Sequence, residues 1–263
     1  MALWKNTKTL GFQPEPLLHD SLTQDVFLCG CGPSLKNVQS SALRGAGLFV
    51  AAVNNAYPHI TPDIWFGMDD PHCYSRQVFW EPFIKIMRGG YQNRTCEGRE
   101  ISKNYNLFYA DCVKFDNHED IFTVNSNNIN FIWKNNVFAI AIHVLIWMGA
   151  KRIYLVGCDL SNKKSSYHHQ QQLSDHNTDY NARLYKEIIR WTKWLHKTAK
   201  KYDIEIISCT PESPINEFMP YMTVENAKIA SSGGLPNGGE LHHTRDIPAY
   251  YQKAYRQNNP NSK

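Results

Sequence analysis

The chain has little of what several specialised protein classes require. Its seven cysteines, at positions 29, 31, 73, 96, 112, 158 and 209, are odd in number and scattered, and no Cys-x-x-Cys pair occurs. A zinc site needs clustered ligands, so this set argues against one. Several cysteines sit inside apolar runs, as free buried thiols do, which points to a reducing cytoplasm. The most apolar stretch, residues 137–150, is shorter than a membrane span and is interrupted by His143. The opening Met1-Ala2-Leu3-Trp4-Lys5-Asn6 lacks the apolar core of a signal peptide. A soluble, cytoplasmic chain with no transmembrane segment is expected. No internal repeat is present.

Charge of one sign is also scarce, the formal balance being +4. Nothing in it demands a nucleic-acid partner. A run of Lys193, Lys197, Lys200 and Lys201 falls on an expected helix. Two readings stand for it: a solvated helix face, or a surface for phosphate or nucleic acid.

What is present suffices for one large α/β domain, or a domain with a small lid: 263 residues, 42% of them hydrophobic. Seven Trp and fourteen Tyr are generous for this length and read as core filler or as stacking platforms. Residues 1–24 are polar, contain Pro14 and Pro16, and read as an arm. Val26-Phe27-Leu28-Cys29 is a buried strand running into a glycine turn, after which Ser34 is placed to cap a helix. Further buried strands are expected over 48–53, closing on Asn54-Asn55, and over 64–68, closing on Asp69-Asp70-Pro71. Residues 72–130 resist a clear reading, with loops around one or two short strands. Residues 136–148 predict a buried helix stopped by Gly149; Arg152-Ile153-Tyr154-Leu155-Val156-Gly157 is the clearest strand, with Asp159 at its end. The polar stretch 162–178 reads equally as a lid loop or as plain disorder. A long amphipathic helix over 180–202 and a strand over 204–208 follow. The domain is placed at 25–230, with the lid around 160–178, and a tail covers 231–263.

A parallel sheet of this kind holds ligands beyond the carboxyl ends of its strands. A glycine turn between strand and helix brings backbone N–H groups to a phosphate. Here Gly30, Gly32, Pro33 and Ser34 are present, without the third glycine of a dinucleotide fingerprint or the Gly-Lys-Ser/Thr of a P-loop. Asn54, Asn55, Asp69, Asp70 and Asp159 would converge on the same edge. Asn suits a base or ribose. Paired Asp69 and Asp70 suit a divalent cation, magnesium or manganese, or else simply start a turn before Pro71. His168, His169 and His176 fall in the expected lid, where a general base would serve near neutral pH.

These residues resemble a known superfamily. Gly30-Cys31-Gly32-Pro33-Ser34-Leu35 is similar to the Gly-x-Gly-Pro-Ser-Leu turn of the bacterial lipo-oligosaccharide sialyltransferases, where it binds CMP-sialic acid. Residues 148–159 are similar to that family's Leu-Gly-x-x-x-Ile-Tyr-Leu-x-Gly-x-Asp block, and His176-Asn177-Thr178-Asp179 to its catalytic His ahead of Asn-Thr-Asp. The resemblance implies a Rossmann-like, glycosyltransferase-A-variant-like fold, mainly parallel and flanked by helices. It implies that His176 is the general base and that Tyr167 contacts the donor phosphate. Asn54 then takes the place of a nucleotide-binding Asn. The chain departs from the family at Ser161, where a second tyrosine stands, and at Lys134-Asn135-Asn136-Val137, where Arg-x-x-Ser stands. On this alignment Lys134 shares the phosphate charge, and Asn55, Asn136, Asp159 and Ser161 join the donor site. Motility-accessory flagellin glycosyltransferases and archaeal-type 6-hydroxymethylpterin diphosphokinases share the glycine turn; Pro62-Asp63 and Asp69 are similar to their acidic motif.

The expected activity is glycosyl transfer from a CMP- or UDP-type donor to a hydroxyl acceptor, which is a glycan, a protein or a hydroxymethylated DNA base. Magnesium-dependent diphosphate transfer to a pterin-like alcohol and a non-catalytic nucleotide-binding module are the alternatives. The expected partners are donor and acceptor and, in a homo-oligomer, further copies of the chain.

Overall fold

The computed structural model describes residues 3–7, 11–14, 18–23, 25–44, 48–104, 106–113, 131–132, 136–161, 167–168 and 175–231. In chain order the strands are β1 (Leu3–Thr7), β2 (Gly11–Pro14), β3 (Val26–Cys29), β4 (Phe49–Val53), β5 (Ile64–Gly67), β6 (Ile84–Arg88), β7 (Thr95–Cys96), β8 (Arg99–Glu100), β9 (Leu107–Ala110), β10 (Cys112–Val113), β11 (Phe131–Ile132), β12 (Arg152–Val156) and β13 (Glu205–Ser208). The helices are α1 (Ser40–Arg44), α2 (Val137–Trp147), α3 (Asp175–Ala199) and α4 (Val224–Ser231), with a short 3-10 helix at Pro33–Asn37 after the glycine turn.

Among the described residues one nine-stranded sheet runs in the order β13-β12-β3-β4-β5-β6-β9-β1-β2. Every pairing from β13 to β9 is parallel, and β1 and β2 add an antiparallel hairpin at the β9 edge. The central strands read as continuous apolar runs because both faces are covered. Val26 and Leu28 of β3 and Ile153 and Leu155 of β12 face one core, with α2 and α3. Phe27, Cys29, Tyr154 and Val156 face the other, with Leu35, Leu43, Val224 and Ala227. The alternation is the two-residue period of a strand.

Helix α2 is buried from Phe138 through Trp147, as an all-round apolar helix must be. Asn136 caps it, its side chain accepting from the Ala139 amide at 2.8 Å. Gly149, with φ +103°, ends it. The Leu22 amide, just ahead of β3, donates to the Met148 carbonyl at 2.7 Å. Thus α2 runs against the strands, and its amino end lies toward their carboxyl edge. Helix α3 hands over to β13 in the same sense, the Ile204 amide donating to the Ala199 carbonyl at 3.1 Å.

The first strands differ from the expected polar arm. Leu3 is buried, and Lys5, also buried, lays its ammonium over the Phe108 ring at 5.4 Å, so a polar-looking segment covers the sheet edge. Helix α3 also begins earlier than expected, at Asp175, so residues 175–178 are helical rather than part of a loop.

Candidate active site

From β3 the chain steps along β4, β5, β6 and β9, then returns through α2 to β12 on the other side of β3. The strand order therefore reverses between β3 and β12. In open parallel sheets the ligand crevice lies at that reversal, outside the carboxyl ends. Two turns meet there: the glycine turn after β3, and Gly157-Cys158-Asp159 after β12.

The two turns are joined tightly. The Gly30 amide donates to Val156 O at 2.7 Å, and the Gly32 amide to Gly157 O at 2.8 Å. A Cβ on Gly30 would lie 2.7 Å from Gly157 O, and Gly157 itself holds φ +65°. At Gly32 a Cβ would fall on the Asp159 carboxylate. That carboxylate accepts from the Ser34 amide at 3.2 Å and from the Ser34 hydroxyl at 2.8 Å. Ser34 is therefore not the helix cap: Gly32 takes that position in the 3-10 helix, with Pro33 first inside it.

This changes the reading of the turn as a phosphate cradle. The Gly30, Gly32 and Ser34 amides are all engaged within the protein, and Pro33 has no N–H to offer. The anion at the turn is the chain's own Asp159.

Tyr167 and His168 of the expected lid dock on this pair of turns. The His168 amide donates to Cys31 O at 3.0 Å, and its ring lies 5.5 Å from that of His59. The Asn181 side-chain amide donates to the Tyr167 hydroxyl at 3.3 Å. Tyr185, one helical turn on, has its phenol pushed up to about 12, chiefly by burial and with the Asp159 carboxylate adding to it. Asn181 and Tyr185 were missed in the sequence; their i, i+4 spacing after His176-Asn177 was the available signal.

A second group sits at the ends of β4 and β5, linked to the first by Cys31, whose thiol donates to Val53 O at 3.2 Å. Asn54 has φ +47°, a left-handed backbone uncommon outside glycine, and Leu160 beside Asp159 has the same value. The Trp65 indole donates to Asn54 O at 2.7 Å, and Gly67 leaves space for that indole, since a Cβ there would overlap it. The Tyr74 hydroxyl donates to Asn54 Oδ1 at 3.3 Å and accepts from the Asp69 amide at 2.7 Å. Asn55 donates to Cys73 O at 3.4 Å.

Asp69 is exposed. Asp70 accepts from His72 Nδ1 at 2.6 Å and from its amide at 3.1 Å, and pairs with Arg94 at 3.3 Å. The His72 hydrogen bonds hold the Asp70 carboxyl below its usual range. This is the turn-starting geometry before Pro71. The Asp70 carboxylate is thus shared between His72 and Arg94. Among the described residues no group of three or more His, Cys, Asp or Glu has metal-holding geometry.

Of the remaining sequence candidates, Ser161 is half-buried two residues after Asp159, and Asn136 caps α2 at the carboxyl edge. His176 lies in the first turn of α3, its side chain outside the described residues, as are Lys134 and His169. Among the described residues no helix is long and apolar enough to cross a membrane.

No family model matches the chain, and no curated protein matches it. Solved structures of the sialyltransferase CstII do. CstII from Campylobacter jejuni in complex with cytidine-5'-monophosphate is 18% identical, with 76% of this chain and 86% of that chain covered and a TM-score of 0.46. CstII with a trisaccharide acceptor and CMP is 19% identical over 75% and 86%, with a TM-score of 0.40. The Campylobacter jejuni enzyme with CMP-3FNeuAc is 17% identical over 75% and 84%, with a TM-score of 0.39. Likeness at this level says nothing of chemistry. The α/β class rests on the sheet itself: parallel strands covered on both faces by helices.

Proposed function

We propose that the protein is a glycosyltransferase that takes a sugar from a CMP- or UDP-type donor and passes it to a hydroxyl acceptor. The observation that carries this reading is the convergence of the glycine turn, Asp159 and Tyr167 on the crevice between β3 and β12. In the proposed reaction the acceptor oxygen attacks the anomeric carbon, and the bond from that carbon to the phosphate oxygen breaks. The nucleotide leaves with the bonding pair. His176 takes the acceptor proton, while Tyr167 and Lys134 stabilise the charge gathering on the phosphate.

The inward use of the turn amides supports a division of parts within the proposal. Asp159 braces the turn, the phosphate falls to Tyr167 and Lys134, and the turn borders the nucleoside, with Asn54, Asn55, Asn136 and Ser161 around it. A carboxylate beside the phosphate would repel it, which supports separate positions for the two. Magnesium-dependent diphosphate transfer has less support, since Asp70 is paired with Arg94. Mass spectrometry of the purified protein, released under denaturing conditions, tests the donor class: a CMP- or UDP-sugar is expected, and bound ATP would favour the diphosphokinase.

A further inference from the structure

The exposed face of α3 is a row of cations. Arg183, Lys186, Arg190, Lys193, Lys197 and Lys200 are all exposed and recur at steps of three and four residues. At about 100° per residue, that spacing keeps them in one stripe. The stripe is opposite the buried Ile188, Trp191, Leu195 and Ala199. Lys200 opens the 3-10 turn that extends the helix. With a rise of about 1.5 Å per residue, the row is roughly 26 Å long with a charge every ~5 Å.

Solubility does not explain such an arrangement. Like charges three and four residues apart repel and weaken the helix, whereas alternating signs would support it. Along this stretch the sole acid is Glu187. Among the described residues none of the six cations enters an ion pair; Lys193 lies over the Phe218 ring at 5.9 Å. A polyanion laid along the row would remove the repulsion and release its own counterions.

We propose that this face of α3 docks the phosphodiester backbone of a nucleic acid. A lipid surface fits less well. Membrane-binding helices turn their apolar side chains to the bilayer, but Ile188, Trp191 and Leu195 are buried here and Ile189 and Trp194 pack against the same core. The row begins at Arg183, on the same turn of α3 as Asn181 and Tyr185, which face the site from the opposite side of the helix. Docking rests on charge and spacing alone; delivery of an acceptor hydroxyl by that strand rests on the transferase reading.

Fluorescence anisotropy of the full chain with labelled duplex and single-stranded oligonucleotides tests docking without any turnover, so a failed transferase reading would leave the result intact. Binding is expected at about 50 mM salt and should weaken steeply as salt rises, with a log–log slope of about 0.9 per duplex phosphate contacted. The triple variant Lys186→Gln, Arg190→Gln, Lys193→Gln should weaken binding at least ~10-fold and lower the slope by about 2 to 3. The charge-matched variant Arg76→Gln, Arg99→Gln, Lys103→Gln, all exposed positions, should stay close to the unmodified protein. No binding at low salt, or equal loss in both variants, overturns the proposal. So does preference for phosphatidylserine vesicles over oligonucleotides.

Discussion

Asp159 and Ser34 stand 125 residues apart in the chain, yet the Ser34 hydroxyl donates to the Asp159 carboxylate at 2.8 Å, and the Ser34 amide does so at 3.2 Å. The contact ties the loop after β3 to the loop after β12 at the point where the sheet's strand order reverses. It also fixes which atoms of the glycine turn remain for a ligand.

Ser34→Ala removes the hydroxyl bond and keeps the amide bond. Hydrogen bonds to charged groups contribute about 1.5–3 kcal/mol, so a loss near the lower end is expected. For a chain of this size that lowers Tm by about 3 to 6 °C. A thermal melt indistinguishable from the unmodified protein would show that the contact carries no stability.

Gly32→Ala should cost more, because its Cβ would overlap the Asp159 carboxylate and lie 2.6 Å from Gly157 O. Separation of the two turns should abolish nucleotide binding. Gly90→Ala is the control, since a Cβ there meets nothing within 4 Å. Calorimetric titration with the best-binding nucleotide checks both.

In the proposed mechanism Tyr167→Phe lowers kcat about 10²-fold with little change in KM, as loss of one donor to a developing charge does. Asn181→Ala acts through the Tyr167 hydroxyl and should lower kcat less. Steady-state kinetics give the split; a rise confined to KM would make Tyr167 a ground-state contact only.

Burial within α2 pushes the His143 imidazole from 6.5 down to about 3. The folded chain keeps it neutral, while the unfolded chain takes up a proton below about pH 6.5, so stability falls as pH drops, by about 1.4 kcal/mol per pH unit. In His143→Leu the loss of unfolding free energy between pH 7 and pH 5 should shrink by about 2 kcal/mol. Equal acid slopes by urea denaturation would contradict this.

Cys73 is exposed, while Cys29 and Cys158 are buried with thiols raised far above the ordinary range by that burial. Alkylation of the folded protein near neutral pH should therefore mark Cys73 first. Because partial burial and the nearby Asp69 and Asp70 raise its thiol too, labelling should quicken as pH rises. Peptide mapping reads the order directly.

Much of this fold was legible. The apolar runs of β3, β4, β5, β12 and β13 announce themselves because both faces of each strand are buried, and Gly149 marks the end of α2. Strand β6 hid behind Lys85, which is fully buried and donates to Glu81 O at 2.6 Å and Phe83 O at 2.9 Å, satisfying the donors of an amine that composition assigns to the surface. The β1–β2 hairpin hid behind Lys5 for a similar reason. At the site, Asp159 and the glycine turn were legible separately. Their mutual contact was not, because spacing along the chain carries no sign of which amides pair. In the proposed function that pairing is what sets the phosphate apart from the turn.

In the proposed function the crevice between β3 and β12 holds a nucleotide-activated sugar. Incubating the protein with a panel of CMP-, UDP- and GDP-sugars, and with ATP plus magnesium, and following nucleotide release by chromatography tests it most directly. Release of CMP or UDP from one donor is predicted, abolished in His176→Ala. Release confined to ATP with magnesium, or none from any sugar nucleotide, would contradict it.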